Sequence, residues 1–202
     1  MIENRLFINV NNLSSFVDFV DCNGKIEFVL KKILSYRRTL NFSCKRRLFN
    51  MVEEGKNAPG FSLPNSDGEI INLSDFKGKS VVIYFYPKDN TPGCTKQACG
   101  FRDAWEEYAL VNAIVIGISP DNEASHQKFR DKFDLPFHLL ADPDLQAIKA
   151  YGVWKEKNMY GKKYMGVERS TFIIDKEGIV AKIIRKVKVD GHVESVLSTL
   201  SE

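Results

Sequence analysis

Cys94 and Cys99 stand five positions apart in the stretch YPKDNTPGCTKQACGF, Tyr86 to Phe101, behind a Thr-Pro-Gly turn. Thiols placed this way support one of three outcomes: plain packing, metal ligation, or a nucleophile with a second thiol that resolves it. The pattern predicts a helix over 92–108, and stepping by three and four from Cys94 gives Ala98, Phe101, Trp105 and Tyr108. Cys94 therefore shares the apolar face. It also falls in the first turn, beside N–H groups with no helical partner and the positive end of the helix dipole, which favour a thiolate. A thiol with the usual pKa of about 8.5 is only about 3% ionised at pH 7, against about 90% for one near 6. The lowered basicity blunts part of that gain. Free cysteines also pack well in cores, so on position alone packing and catalysis stand even.

Cys99 lies about 140° round the helix from Cys94, and an intact helix would hold the two Cα atoms about 8–9 Å apart. A disulfide tolerates about 4.4–6.8 Å. A bond between them requires the first turns to unwind, and Gly100 lowers that cost by about 1 kcal/mol relative to alanine. If the pair acts together, a local folding switch is part of the mechanism.

Several other chemistries lack their residues. The GKS at Gly78–Ser80 has Leu73 where a phosphate-binding loop needs glycine, and it precedes a strand instead of following one. No Gly-x-Gly-x-x-Gly or Gly-x-Ser-x-Gly occurs. A zinc site would need ligands near Cys94, but His126, His138 and His192 are distant in sequence, and only Cys22 and Cys44 remain. The histidines read as surface or packing residues, and neither metal nor cofactor is expected.

The 202 residues are 44% hydrophobic and 27% charged, the composition of a globular protein. Residues 1–50 carry nine Lys and Arg against four Asp and Glu, whereas the remainder carries 20 against 22. The basic character is thus confined to the first fifty residues, and no nucleic-acid partner is expected. There, Ile26, Val29, Leu30, Ile33 and Leu34 form a helical stripe flanked by Lys31, Lys32, Arg37 and Arg38, suited to an anionic membrane or a partner. The plainer expectation is that 1–50 is a translated leader outside the fold, with Met51 the true start. The globular pattern begins at MVEEGKNAPGFSLP, and the Arg pair in Lys45–Arg47 can be encoded by a purine run of the kind that recruits ribosomes. No apolar run approaches the roughly 18–20 residues that cross a bilayer. Four cysteines are too few for a disulfide-stapled scaffold, so a reducing cytoplasm is the expected compartment.

From Met51 on, strands and helices alternate. FSLPNSDGEIINL reads as two short strands about an Asp-Gly turn, and SVVIYFY (Ser80–Tyr86) as a strand buried on both faces. AIVIGIS, FHLLAD, STFIID and IVAKIIRK read as strands, and 123–133, 143–151 and 191–200 as helices. The alternation, ending in a two-strand hairpin, predicts a three-layer α/β sandwich occupying 51–202.

These features resemble the peroxiredoxins, and within them the bacterioferritin comigratory protein subgroup of thioredoxin-dependent thiol peroxidases. The family motif Pro-x-x-x-Thr-x-x-Cys stands as Pro87, Thr91 and Cys94, and its distant arginine matches Arg169 in GVERSTFIID. The subgroup's resolving cysteine matches Cys99, and YGVWKEKNMYGKKYMG is similar to the stretch before that arginine. Gln97 stands where the subgroup often has glutamate. The resemblance implies that Cys94 attacks peroxide, with Thr91 and backbone N–H groups near it orienting the substrate. It implies further that Arg169 contacts sulfur and peroxide, that Pro87 and Gly93 line the pocket, and that Cys99 forms an intramolecular disulfide recycled by thioredoxin. It also implies an α/β, thioredoxin-like three-layer sandwich with a mixed central sheet, and a monomer. Read without the family, Thr91 is a helix N-cap and Arg169 a surface charge. Two rival readings are a thioredoxin-like dithiol oxidoreductase, which would want a Cys-x-x-Cys that is absent, and a redox-sensing binding or chaperone protein.

Overall fold

The central strand of the main sheet is β3 (Ser80–Phe85), a run of β-branched and aromatic residues. The computed structural model describes residues 52–159 and 161–201; the expectations for 1–50 and for a start at Met51 lie outside the described residues. Because side chains alternate along a strand, Val82 and Tyr84 enter one core cluster while Val81, Ile83 and Phe85 enter another. A continuous apolar strand is the result of covering both faces.

β3 lies parallel to β4 (Ala113–Ser119), which lies parallel to β5 (His138–Ala141). On its other side β3 pairs antiparallel with β8 (Ser170–Ile174), and β8 with β9 (Val180–Ile184). The order β5-β4-β3-β8-β9 is a mixed five-stranded sheet. One face carries α1 (Pro92–Asp103), α2 (Trp105–Leu110), α3 (Glu123–Phe133) and α5 (His192–Leu200), through Ala98, Phe101, Tyr108, Phe129 and Val196. The other carries α4 (Gln146–Ala150) and the hairpin of β1 (Ser62–Pro64) and β2 (Ile70–Asn72). This is the expected thioredoxin-like three-layer sandwich.

Two features depart from the sequence reading. The helix expected over 92–108 is two helices, divided at Ala104 (φ −94°, ψ 11°). The bend brings Tyr108 into the core edge-on to Phe101, with its hydroxyl donating to the Val193 carbonyl at 2.8 Å. A second hairpin, β6 (Trp154–Met159) and β7 (Lys162–Val167), stands apart from the main sheet. Its strands mix lysines with isolated apolar residues and few β-branched ones, so neither strand period shows.

Opposite Tyr84 in the register is Gly117. A Cβ there would meet the Tyr84 hydroxyl at 2.6 Å and Leu139 Cδ2 at 2.8 Å. The missing side chain lets the Tyr84 ring lie over β4, stacked on Phe101 of α1 at 4.9 Å and on Tyr86 at 5.4 Å. Gly117→Ala is expected to displace that stack and destabilise the fold by about 1–3 kcal/mol, the usual cost of overpacking. A urea-unfolding midpoint equal to that of the parent protein would contradict this account of the glycine.

Candidate active site

α1 begins where the loop leaving β3 ends. Pro92 occupies the first helical position, where its missing N–H costs nothing and its fixed φ suits the helix. The Thr95 amide makes the first intrahelical bond, to the Thr91 carbonyl at 2.8 Å. The Gly93 and Cys94 amides precede it and have no carbonyl four residues back within the helix. Cys94 is 1% exposed, its thiol free and set among Tyr84, Tyr86, Ala98 and Phe101.

Arg169 reaches this sulfur from the link between β7 and β8. Its Nη2 lies 3.2 Å from Cys94 Sγ, and its Nη1 donates to Gln97 Oε1, one helical turn on from Cys94. The Arg169 backbone is itself held, its carbonyl accepting from the Val187 amide at 3.0 Å. A Cβ on Gly93 would touch Nη2 at 3.4 Å, so the glycine leaves that space to the guanidinium. The structure thus brings together Cys94, Arg169, Gly93 and Gln97. The reading of Arg169 as a surface charge is corrected: it is half-buried and turned onto the helix start.

Thr91 takes the N-cap position with extended backbone, but its side chain makes no capping bond. The hydroxyl instead donates to the Lys88 carbonyl at 3.2 Å, so the N-cap position is as read while the capping hydrogen bond is not made. With its proton engaged there, the oxygen keeps lone pairs able to accept from an incoming O–H. Pro87, half-buried, heads the same loop. Cys99 is half-buried, on the same unbroken helix as Cys94, with its thiol free.

That loop is held by a buried polar network which the sequence did not disclose. The Asp89 carboxylate accepts from Tyr86 at 2.7 Å and from Ser125 at 2.7 Å, and pairs with His126 Nδ1 at 2.9 Å. Its amide donates to Asp121 Oδ2 at 2.8 Å. Burial pushes the Asp89 carboxyl up, but the His126 hydrogen bond and charge, with Ser125 and Tyr86, outweigh it and hold the group below the usual range. The spacing of His126 and Phe129 on one face of α3 was the available signal; nothing in the sequence marks Asp89 as turned inward.

Two more titratable groups border Arg169. His192, buried at the start of α5, lies 3.0 Å from Thr171 Oγ1, and burial, reinforced by the Arg169 charge, holds its pKa at about 4. Lys157 on β6 donates to the Val167 carbonyl at 2.6 Å, and burial, again with Arg169, lowers it. Among the described residues no group of three or more His, Cys, Asp and Glu is placed to hold a metal ion, and no helix is long and apolar enough to cross a membrane.

A family model described as AhpC/TSA matches residues 54–183. The chain belongs to the AhpC/TSA family. Among family members, peroxiredoxin Bcp of Bacillus subtilis is 52% identical over 151 residues, 75% of this chain and 96% of that protein. Peroxiredoxin Bcp of Escherichia coli is 44% identical over 153 residues, 76% and 98%. A solved peroxiredoxin Q from Xanthomonas campestris superposes with a TM-score of 0.67 at 43% identity, covering 70% of this chain and 89% of that one. Another structure, of the Xanthomonas campestris bacterioferritin comigratory protein, concerns that protein's alkyl peroxide reduction activity; it superposes at 0.67 with 42% identity, covering 70% and 90%. This AhpC/TSA chain is a peroxiredoxin of the bacterioferritin comigratory type, and its activity is that of a thiol peroxidase.

The depressed His192 makes a pH prediction for this peroxiredoxin. In the unfolded chain its imidazole titrates near 6.5, in the fold at about 4. Between those values the unfolded state takes up a proton that the folded state refuses, so stability falls as pH drops from about 6.5 to about 4. The full shift is worth about 3 kcal/mol. Urea midpoints measured across that window are expected to decline, and to decline less in His192→Asn; parallel curves for the two proteins would refute it.

Proposed function

We propose that Cys94 is the residue that attacks peroxide and that Cys99 resolves it. The observation that carries this reading is the 3.2 Å contact between Arg169 Nη2 and the Cys94 sulfur at a helix start. A permanent cation and the helix dipole both favour the thiolate there.

The thiolate attacks one peroxide oxygen in line with the O–O bond; that bond breaks, and the other oxygen leaves as hydroxide or alkoxide and takes a proton from solvent. Cys94 is left as a sulfenic acid. Charge grows on both oxygens in the transition state, so donors fixed in advance lower the barrier. Arg169 and the Gly93 and Cys94 amides supply them, Thr91 Oγ1 accepts the peroxide O–H, and Pro87 and Gly93 shape the pocket. Substrates are hydrogen peroxide and organic hydroperoxides; the alkyl peroxide activity named for the Xanthomonas relative supports the second class.

The Cys99 thiol then attacks the sulfenic sulfur, water leaves, and a Cys94–Cys99 disulfide forms. Both residues lie in the unbroken Pro92–Asp103 helix, so this step needs α1 to open first. A thioredoxin-like dithiol reduces the exposed disulfide, itself becoming oxidised. The working protein is a cytoplasmic monomer in this reading, with 51–202 its catalytic domain and 1–50 an extension.

Cys94→Ser is expected to lower peroxide turnover by at least about a thousandfold, whereas Cys99→Ser keeps the first, single turnover and loses recycling by thioredoxin and its reductase. Equal retained turnover in both variants would refute the assignment, and stoichiometric peroxide loss with no recycling in the parent protein would favour a sensor. Oxidation should also raise amide hydrogen exchange across 95–101. An exchange pattern that peroxide leaves untouched would contradict opening of α1.

A further inference from the structure

The first turn of α5 meets α1 and α2 at several points. His192 is 5% exposed, with its ring edge-on to Phe101 at 5.9 Å and its Nε2 3.0 Å from Thr171 Oγ1 on β8. Val193 Cγ2 lies 3.1 Å from where a Cβ on Gly100 would stand, and the Val193 carbonyl accepts from the Tyr108 hydroxyl. Just before the turn, Asp190 pairs with Lys96. On α1 these contacts fall on Lys96, Gly100 and Phe101, either side of Cys99. They grip the stretch that has to move if Cys94 and Cys99 are to join.

Phe101 is fully buried and helps to cover the imidazole. Opening of α1 over 95–101 would carry Phe101 away and admit water to the ring. Burial is the main reason that His192 stays neutral down to about pH 4; the Arg169 charge acts in the same direction and Glu194 opposes it. Opening removes the largest of these causes, so a proton binds the open form more readily than the closed one. The other groups around the turn are Cys94, Cys99 and the Lys96–Asp190 pair on the α1 side and, on α2, Tyr108, whose phenol burial pushes up. From β8 the ring meets Thr171, which does not titrate.

We propose that His192, with the turn around it, is a proton-operated latch on α1: it holds the cysteine helix closed while the imidazole is neutral and releases it when the imidazole takes up a proton. The latch ties acidity to how readily Cys99 meets an oxidised Cys94. It rests on the reading in which Cys99 resolves Cys94, because that reading is what gives the opening of α1 a use. The contact set itself does not depend on that chemistry, and it can be tested in the reduced protein.

The test follows amide hydrogen exchange across 95–101 in the reduced full-length protein from pH 5 to 7, each rate divided by the intrinsic exchange rate at that pH. Peptides from β3 and β8 report global unfolding. From pH 7 to pH 5 the opening of 95–101 is expected to rise about five- to twentyfold, the upper figure being that for a pKa released from about 4 to about 6.5. β3 and β8 should stay at least about tenfold better protected throughout. In His192→Asn and His192→Phe, two variants in case one fails to fold, the opening should change less than about twofold over the same range. A purely structural role for the ring would loosen α1 equally at every pH. Parallel profiles in the parent and a folded variant, or exchange of 95–101 only together with β3 and β8, overturn the latch. Disulfide mapping after one equivalent of hydrogen peroxide separates the two readings: no Cys94–Cys99 bond in a parent that opens as described overturns the resolving role of Cys99 and leaves the latch standing.

Discussion

A guanidinium held 3.2 Å from a buried sulfur is the contact that the rest of the fold is arranged to keep. Seventy-five residues separate the partners, so no local geometry can create it. It follows from the antiparallel pairing of β3 with β8, whose register sets Phe85 against Ser170. The loop toward Cys94 therefore leaves the sheet next to the point where Arg169 enters it. A register slip of one residue would move Arg169 by about 3.3 Å and turn it to the other face. Because β8 is buried throughout and β3 from Val81 on, such a slip would also exchange two core faces, and burial thus protects the contact.

The second requirement is that a short loop arrive at the helix start in one conformation. Asn90 adopts a left-handed φ of 54°, strained for most residues though tolerated by asparagine, and the local Thr91-to-Lys88 bond is only part of what holds the chain there. Asp89 supplies the restraint from inside: its buried carboxylate is tied to Tyr86 just after β3 and to Ser125 and His126 of α3, and its backbone amide donates to Asp121 just beyond β4. A carboxylate so enclosed is tolerable only with its partners in place, which makes the loop conformation and the core mutually dependent.

The sheet and the helix carrying both cysteines were legible in the sequence because their signals are local. Ser80–Phe85 has no polar break, and Pro92 marks the helix start. The family motif located Cys94, Thr91 and Arg169 together where each residue alone read as ordinary. What stayed hidden depends on distant partners. Nothing near Asp89 announces His126, 37 positions away. The bend at Ala104 answers to the Val193 carbonyl on the last helix, and in the lysine-rich hairpin at 154–167 the apolar pair Trp154 and Val167 forms only across the strands, 13 positions apart. Gln97 was visible as a small departure, but its burial and its unpaired nitrogen only have meaning beside Arg169.

Gly100 follows the second cysteine, and a Cβ placed on it would meet Val193 Cγ2 at 3.1 Å. That close approach couples two positions 93 apart, so that the absence of one side chain and the branching of the other form a single heritable unit. A side chain at residue 100 requires Val193 to give by a few tenths of an ångström, so the two positions do not change independently. The glycine beside Cys99 is therefore also a constraint on the C-terminal helix, and any retuning of the segment that carries both cysteines runs through a residue 93 positions away.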